Sequence, residues 1–327
     1  MFFFIKLIFK KLTVDWKIAG LVLFFILTYH ITMAQSHYRA RFEEPWSFSL
    51  QAGPSQYFGD LYSLWKYYEG VQPDFNAGFS ARYTFGTNLK ARTDISFYQI
   101  SGQDTKADPR SGRIPRDVNF RARNWEAAFL VEYYLKPVKV YNITREFFNP
   151  YIFAGVGAST NDPYANYRGD WVALRPLRTE NEAYPGVVMV FPMGMGVKYK
   201  ANVYMDVFLE GNYRFTLTDY LDDVSSFNMS GFYEDLIADY VSGENPDRLR
   251  LSVRQARYLL ENGEPDVERI RRSGGAPRRG SGDPRQNEPG ARYDGYFTLN
   301  FGVEIYFAQD IWDNWIFRKR RRGYRWW

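Results

Sequence analysis

The stretch DFNAGFSARYTF, Asp74 to Phe85, alternates without a break. Phe75, Ala77, Phe79, Ala81, Tyr83 and Phe85 share one parity; Asn76, Gly78, Ser80, Arg82 and Thr84 share the other. Successive strand side chains point to opposite faces, so this run forms a strand with one apolar and one polar side. Seven further segments have the same period: Trp46–Gly53, Leu89–Gln99, Asn124–Leu135, Pro150–Ser159, Val188–Tyr199, Val203–Thr216 and Tyr296–Phe307. Each meets or approaches the ~9–11 residues that a tilted strand needs to cross a bilayer, and eight is an even number that closes a small barrel. The fold class this implies is all-β: an eight-stranded antiparallel transmembrane outer-membrane barrel with long extracellular loops.

The connections follow that plan. Gly86–Asn88 and Lys200–Asn202 are tight turns, whereas the links after the first, third, fifth and seventh runs are long, and Leu217 to Arg292 is the longest. Outer-membrane barrels alternate short periplasmic turns with long extracellular loops in this way. The connection Lys136–Asn149 breaks the rule by being long on the short-turn side. Arg82, Arg92, Asp94, Glu126, Glu132, Asp206, Glu210, Arg214 and Glu304 lie opposite the apolar rows. Isolated charges are too costly to bury, so the expectation is a charge-paired plug filling a narrow lumen.

Composition agrees with a barrel. Aromatic residues make up 19% of the chain, and Tyr, Phe and Trp favour both strands and membrane interfaces. Lys17 precedes the apolar run IAGLVLFFILTY (Ile18–Tyr29), and Thr32 and Ala34 are small residues set for cleavage before Gln35. Residues 1–34 therefore read as a signal peptide; the FFFIKLIF in front leaves a retained anchor helix as the rival reading. Residues 35–45 then form a periplasmic segment, 46–307 the barrel, and 308–327 a short C-terminal periplasmic tail. With no cysteine, an exported chain has no disulfide framework. Much of the +5 formal charge lies in the tail, where FRKRRRGYRWW from Phe317 carries six Lys or Arg.

Chemistry is sparse. His37 is the one histidine after the signal segment, which removes the obvious base for a Ser or Cys nucleophile, and zinc and thiol chemistry need residues the chain lacks. The chain is read as having no enzymatic activity and no cofactor. TDYLDDVS (Thr218–Ser225) places Asp219, Asp222 and Asp223 together, but without the central glycine and ligand spacing of a calcium loop. They remain weak metal candidates beside a role in capping turns or pairing with arginines at the rim. The glycines of FAGVGAS and FPMGMGV alternate within strands, where they relieve crowding in the lumen. In the longest loop, residues 217–292, Asn245 as N-cap, Pro246 and a stop at Gly263 predict a helical insertion. SGGAPRRGSGDPRQNEPG after it has the composition of a mobile segment. The tail is read as an interfacial helix or a docking element, not as a nucleic-acid binder.

Five stretches together resemble the PorG-like outer-membrane barrels of the Bacteroidetes type IX secretion system. They are GDLY (Gly59, Asp60, Leu61, Tyr62), WVALRPLRTE (Trp171–Glu180), FPMGMGVKY, TDYLDDVS (with Thr218, Asp219, Tyr220, Leu221, Asp222 and Asp223 as its core) and DGYFTLNFGVEIYF. The likeness runs from about Trp46 to Phe307. It implies a non-enzymatic anchor in the outer-membrane lipid for a periplasmic ring made of a lipoprotein and its soluble partner. The alternative is a small OmpA- or OmpW-like porin or ligand-binding barrel. For a ring partner, the candidate contacts are Lys136, Lys139 and Arg145 in the overlong turn and Trp312, Trp315, Arg318, Arg320 and Arg321 in the tail.

Overall fold

The computed structural model describes residues 46–59, 61, 73–106, 114–138, 146–202, 204–225, 233–273 and 293–306. The signal segment, His37, Asp60, Tyr62, Lys139, Arg145, the Gly/Pro-rich stretch from Gly274 and the whole tail lie outside the described residues. Ten strands follow in chain order: β1 (Trp46–Phe58), β2 (Asp74–Thr84), β3 (Leu89–Gln103), β4 (Asn119–Tyr134), β5 (Phe148–Thr160), β6 (Pro163–Tyr167), β7 (Asp170–Ala173), β8 (Val187–Lys200), β9 (Met205–Thr216) and β10 (Gly295–Tyr306). Eight of them, all but β6 and β7, pair antiparallel in the order β3, β2, β1, β10, β9, β8, β5, β4, and β3 pairs with β4 to close the barrel. Closure satisfies both edges of every strand, which a bilayer demands because it offers no other hydrogen-bond partner.

The alternation decides inside from outside. Leu50, Phe79, Ile95, Phe129, Val131, Ile152, Met195 and Phe301 are exposed on the outer wall, whereas the interleaved Ser49, Ser80, Arg92, Glu132 and Asn300 are buried. Aromatic pairs mark both ends of that apolar wall. Trp46 meets Tyr83 at 5.0 Å and Phe148 meets Tyr199 at 5.0 Å near the short turns; Phe97 meets Trp125 at 5.5 Å near the loops. Along β4, the outward row from Trp125 to Tyr133 spans about 20 Å after allowing for strand tilt, which suits the ~25 Å band of a transmembrane barrel. Among the described residues no helix is long and apolar enough to cross a membrane; the strands do the crossing. The protein is a membrane-spanning β-barrel.

Three features depart from the expectations above. First, β1 and β4 run beyond the alternating segments, β1 to Phe58 and β4 back to Asn119. Their extra residues stand beyond the hydrocarbon; along β4 the outward row there turns polar, Arg121 and Arg123, while Phe120 and Ala122 keep the inward row apolar. Second, β6 and β7 form a hairpin in the loop after β5, and β6 continues the barrel wall by pairing with β4 at Arg121 and Ala122. Arg168 and Gly169 close this hairpin with φ of 54° and 101°, the positive values that a two-residue turn matched to strand twist requires. Third, the predicted single helix ending at Gly263 is shorter. Helix α2 (Pro246–Ser252) begins at Pro246 as expected, although Asn245 makes no side-chain cap, and it ends where Val253 turns extended. Gly263 instead sits in an Asn262-Gly263 turn, where Leu260 N–H donates to Glu264 O at 2.8 Å. Helices α1 (Tyr233–Ser242) and α3 (Val267–Arg272) flank α2. The three share a small core of Tyr233, Leu236, Ile237, Leu249, Val253, Tyr258 and Ile270.

Candidate functional site

The lumen is filled. The nine charged residues predicted to face inward are all buried. At the centre, Arg92 donates to both oxygens of Asp94, to Glu132 at 2.9 Å and to Glu210 at 2.6 Å. Arg82 shares Glu132 at 2.9 Å and also bonds Ser49. Glu304 accepts from Ser47 at 2.6 Å and from Lys90 at 2.8 Å, and pairs with Lys198. Nearer the loops, Arg214 holds Glu126 at 3.2 Å. On the inward rows of the eight barrel strands, the cations Arg82, Lys90, Arg92, Lys198, Lys200 and Arg214 match the carboxylates Asp94, Glu126, Glu132, Asp206, Glu210 and Glu304 in number. Neutrality of this kind is what allows charges to remain out of water.

Alternation alone does not reveal the role of the tyrosines. Five buried ones each donate to a carboxylate: Tyr134 to Glu132 at 2.5 Å, Tyr151 to Glu210 at 2.9 Å, Tyr306 to Asp206 at 2.6 Å, Tyr57 to Asp294 at 2.7 Å, and Tyr296 to Glu126. The ring occupies volume while the hydroxyl satisfies charge. Their parity in the sequence places them with the lumen row, but aromatic character suggests lipid. Lys90 and Lys198 lie on that row too; Lys198 follows Val, Pro and Gly, which hide its polarity. Glycine makes the space: a Cβ on Gly196 would stand 2.6 Å from the Tyr151 ring, and one on Gly302 would stand 2.3 Å from the Phe208 ring. Gly196 shows the crowding expected of FPMGMGV, whereas a Cβ on Gly155 or Gly157 of FAGVGAS would first meet the β4 backbone, at Phe129 O or Ala127 O.

The loop-side mouth is sealed differently. Tyr57, Leu61, Tyr98, Ile100, Phe120, Leu174, Val190, Leu221, Val224, Leu251 and Tyr296 belong to one buried apolar cluster that brings together strand ends and loops. Four of the five stretches behind the family resemblance meet here. Asp223 accepts hydrogen bonds from Thr179 and from Tyr184 Oη at 2.7 Å, and Ser225 N–H donates to Glu180 at 3.1 Å, so TDYLDDVS is latched onto WVALRPLRTE. Asp294, which opens DGYFTLNFGVEIYF, accepts from Leu221 N–H at 3.0 Å as well as from Tyr57. From GDLY, Leu61 is buried in the cluster, and a Cβ on Gly59 would fall 2.0 Å from the Asp294 carboxylate. Asp223 adopts φ 65°, a left-handed conformation that Asp tolerates better than most side chains.

The weak metal candidates are thereby located. Asp222 and Asp223 are buried, with Asp222 accepting from Val224 N–H at 3.0 Å in the manner of a turn-capping aspartate; Asp219 is half-buried. The helices of the last loop cover the mouth: Ser252 Oγ donates to Thr179 O at 2.7 Å and Arg248 to Arg178 O at 3.2 Å. Within this lid, Glu264 accepts from Arg250 at 2.7 Å and Tyr240 at 3.1 Å and pairs with Arg168 of the β6–β7 turn at 3.1 Å. Burial would raise the Glu264 carboxyl, but the Arg250 and Tyr240 hydrogen bonds and the cations hold it below the ordinary value of 4.5.

At the opposite end, the overlong turn is pinned where it is described. Lys136 N–H donates to Asn149 at 3.1 Å, Asn149 returns a bond to Lys136 O at 3.0 Å, and Val138 N–H reaches Thr87 O of the neighbouring turn at 2.8 Å. The Lys136 ammonium is half exposed and pairs with Glu146 at 3.2 Å. The start of β1 and the end of β10 lie at this same end, with Ser47 opposite Tyr306. The other seven candidate partner contacts are outside the described residues.

No protein-family model matches the chain, and no curated protein matches it. Among solved structures it is similar to Neisserial surface protein A, at 11% identity over 80% of this chain and 97% of that one, with a TM-score of 0.36. It is also similar to the N-terminal β-barrel domain of Pseudomonas aeruginosa OprF (9% identity, 80% and 97% covered, TM-score 0.34). A third is Ail, the attachment invasion locus protein of Yersinia pestis, in complex with the heparin analogue sucrose octasulfate (8% identity, 80% and 97% covered, TM-score 0.34).

Proposed function

We propose that the protein is a non-enzymatic outer-membrane barrel that holds a periplasmic ring of the type IX secretion machinery, a lipoprotein and its soluble partner, against the membrane. A structural role is supported by one observation above the others: the lumen is occupied by neutralised charge and tyrosine rings under an apolar seal, which opposes passage of ions or solutes. The outer membrane is supported by the apolar wall together with long loops at one end and short turns at the other, and by the signal-like N-terminus. The ring as partner rests on the resemblance of the GDLY, WVALRPLRTE, FPMGMGVKY, TDYLDDVS and DGYFTLNFGVEIYF stretches to PorG-like barrels.

The test is a photocrosslinker at position 136 in cells, followed by purification of the barrel and identification of its adducts. Recovery of the ring lipoprotein or its soluble partner is expected; a barrel recovered alone overturns the anchoring role. Deleting residues 310–327 should lower ring retention in the outer-membrane fraction if the tail takes part. The ordered helical lid with its own core favours a second reading, an OmpA- or OmpW-like barrel whose loops bind an extracellular ligand. Ring-free cells with an unchanged secretion profile would favour that reading.

A further inference from the structure

We infer that Arg121 and Arg123 form a binding site for the phosphate group of a membrane-lipid headgroup on the loop side of the barrel. Both lie on the outward row of β4, Arg123 exposed and Arg121 half-buried, two and four residues beyond Trp125. Trp125 and Phe97 end the apolar wall at this point, so the two guanidinium groups stand where hydrocarbon gives way to headgroups.

Their pairing differs from that of Arg116, Arg168 and Arg175, three arginines of the same end that are bound to carboxylates. Arg116 is bound to Asp104 at 2.6 Å, Arg175 to Asp162 at 2.8 Å and Arg168 to Glu264 at 3.1 Å. Among the described residues, no carboxylate comes within ion-pair distance of Arg121 or Arg123. Neutral groups fix them instead. The Arg121 guanidinium lies 3.7 Å over the Trp171 ring of the β6–β7 hairpin, and Arg123 Nε donates to Gln99 Oε1 at 2.9 Å. Gln99 is itself held by Asp74 at 2.7 Å, a carboxylate also engaged by Ser101 at 2.7 Å.

Two like charges two residues apart on one face of a strand repel each other, and a shared anion relieves that repulsion. Stacking on Trp171 and the bond to Gln99 hold the groups before any ligand arrives, which lowers the entropy lost on binding. Guanidinium binds phosphate through paired N–H donors, a geometry that suits a headgroup better than a diffuse counterion. A lipid is the favoured source because the site opens sideways from the barrel wall at the end of the apolar belt, not upward into the loops. The inference needs only the membrane-spanning barrel and is independent of the ring-anchoring role.

The test uses the full chain in nanodiscs that mix phosphatidylcholine with either lipid A or phosphatidylglycerol, read by native mass spectrometry of retained lipid and by thermal midpoint. Wild-type protein should retain the phosphate-bearing anionic lipid preferentially and gain thermal stability from it. Arg121→Gln/Arg123→Gln should weaken that retention at least about tenfold, as expected for the loss of two charge-assisted bonds, while keeping its midpoint in pure phosphatidylcholine. Arg175→Gln, which removes an arginine already paired with Asp162, should change retention little. Arg121→Lys/Arg123→Lys, which keeps the charge and is the fallback if the Gln variant does not fold, should bind with intermediate strength. Equal retention by wild type and the Gln variant, or loss of equal size in Arg175→Gln, overturns the site. A midpoint gain from inorganic phosphate equal to that from the lipids overturns its assignment to a lipid headgroup.

Discussion

The two halves of the barrel interior are closed by opposite means. Toward the short turns, Arg82, Lys90, Arg92 and Lys198 interlock with Glu132, Glu210 and Glu304, and tyrosine hydroxyls complete the shell. Toward the loops, an apolar cluster is clamped by a few hydrogen bonds from Asp223 and Asp294. The lower half is joined mainly by side chains of adjacent or facing strands; the upper half joins segments from eight separate parts of the chain. A charged core tolerates little change because every member depends on its partners, whereas an apolar cap loses stability in proportion to the atoms removed.

That contrast can be broken at several points. The largest effect is expected from Arg92→Met, which leaves Asp94, Glu132 and Glu210 facing one another without their shared cation. Breaking a buried ion pair from one side costs about 3–5 kcal/mol, seen as a lowered urea midpoint for the whole barrel in lipid vesicles. Leu221→Ala should cost about 2–4 kcal/mol by opening a cavity in the cap. Its signature is faster hydrogen exchange at the mouth, while the β4–β5 amides stay protected; equal loosening of both regions would show that cap and lumen form one cooperative unit. Asp223→Ala removes the acceptor for Thr179 and Tyr184, with an expected loss of about 1–3 kcal/mol and increased exchange over residues 174–184. The smallest effect is a pH dependence confined to the lid. Glu264 has a depressed folded-state value, so its stabilisation is present above the ordinary value of 4.5 and is lost as pH falls through the folded value. Exchange in α1 and α2 should rise below pH 4.5, and Glu264→Gln should abolish that rise.

The strands that cross the lipid were legible because solvent differs on their two faces. Phe75 to Phe85 carries that difference at every position, and β2 runs from Asp74 to Thr84 accordingly. Legibility fails where hydrocarbon no longer covers the outer face. Arg121 and Arg123 extend β4 with the polarity inverted, polar residues outward and Phe120 and Ala122 inward, and Tyr164 and Trp171 belong to a hairpin whose best signal is the Arg168-Gly169 turn. In the lid, Asn262-Gly263 resembles a helix stop if only glycine is considered; the dipeptide as a whole marks a tight turn, and that is what forms.

Period-two patterning by itself therefore determined the class of fold, the number of membrane-crossing strands and the inward placement of nine charges, because each depends only on a residue and its near neighbours in sequence. Tertiary structure decided which charges pair, that tyrosines complete the lumen, and that GDLY, WVALRPLRTE, TDYLDDVS and DGYFTLNFGVEIYF meet at one mouth. Those outcomes depend on strand register and barrel closure, which bring Tyr57 and Asp294 within 2.7 Å across 237 positions of chain. Local alternation carries no record of which distant residues that closure will bring together.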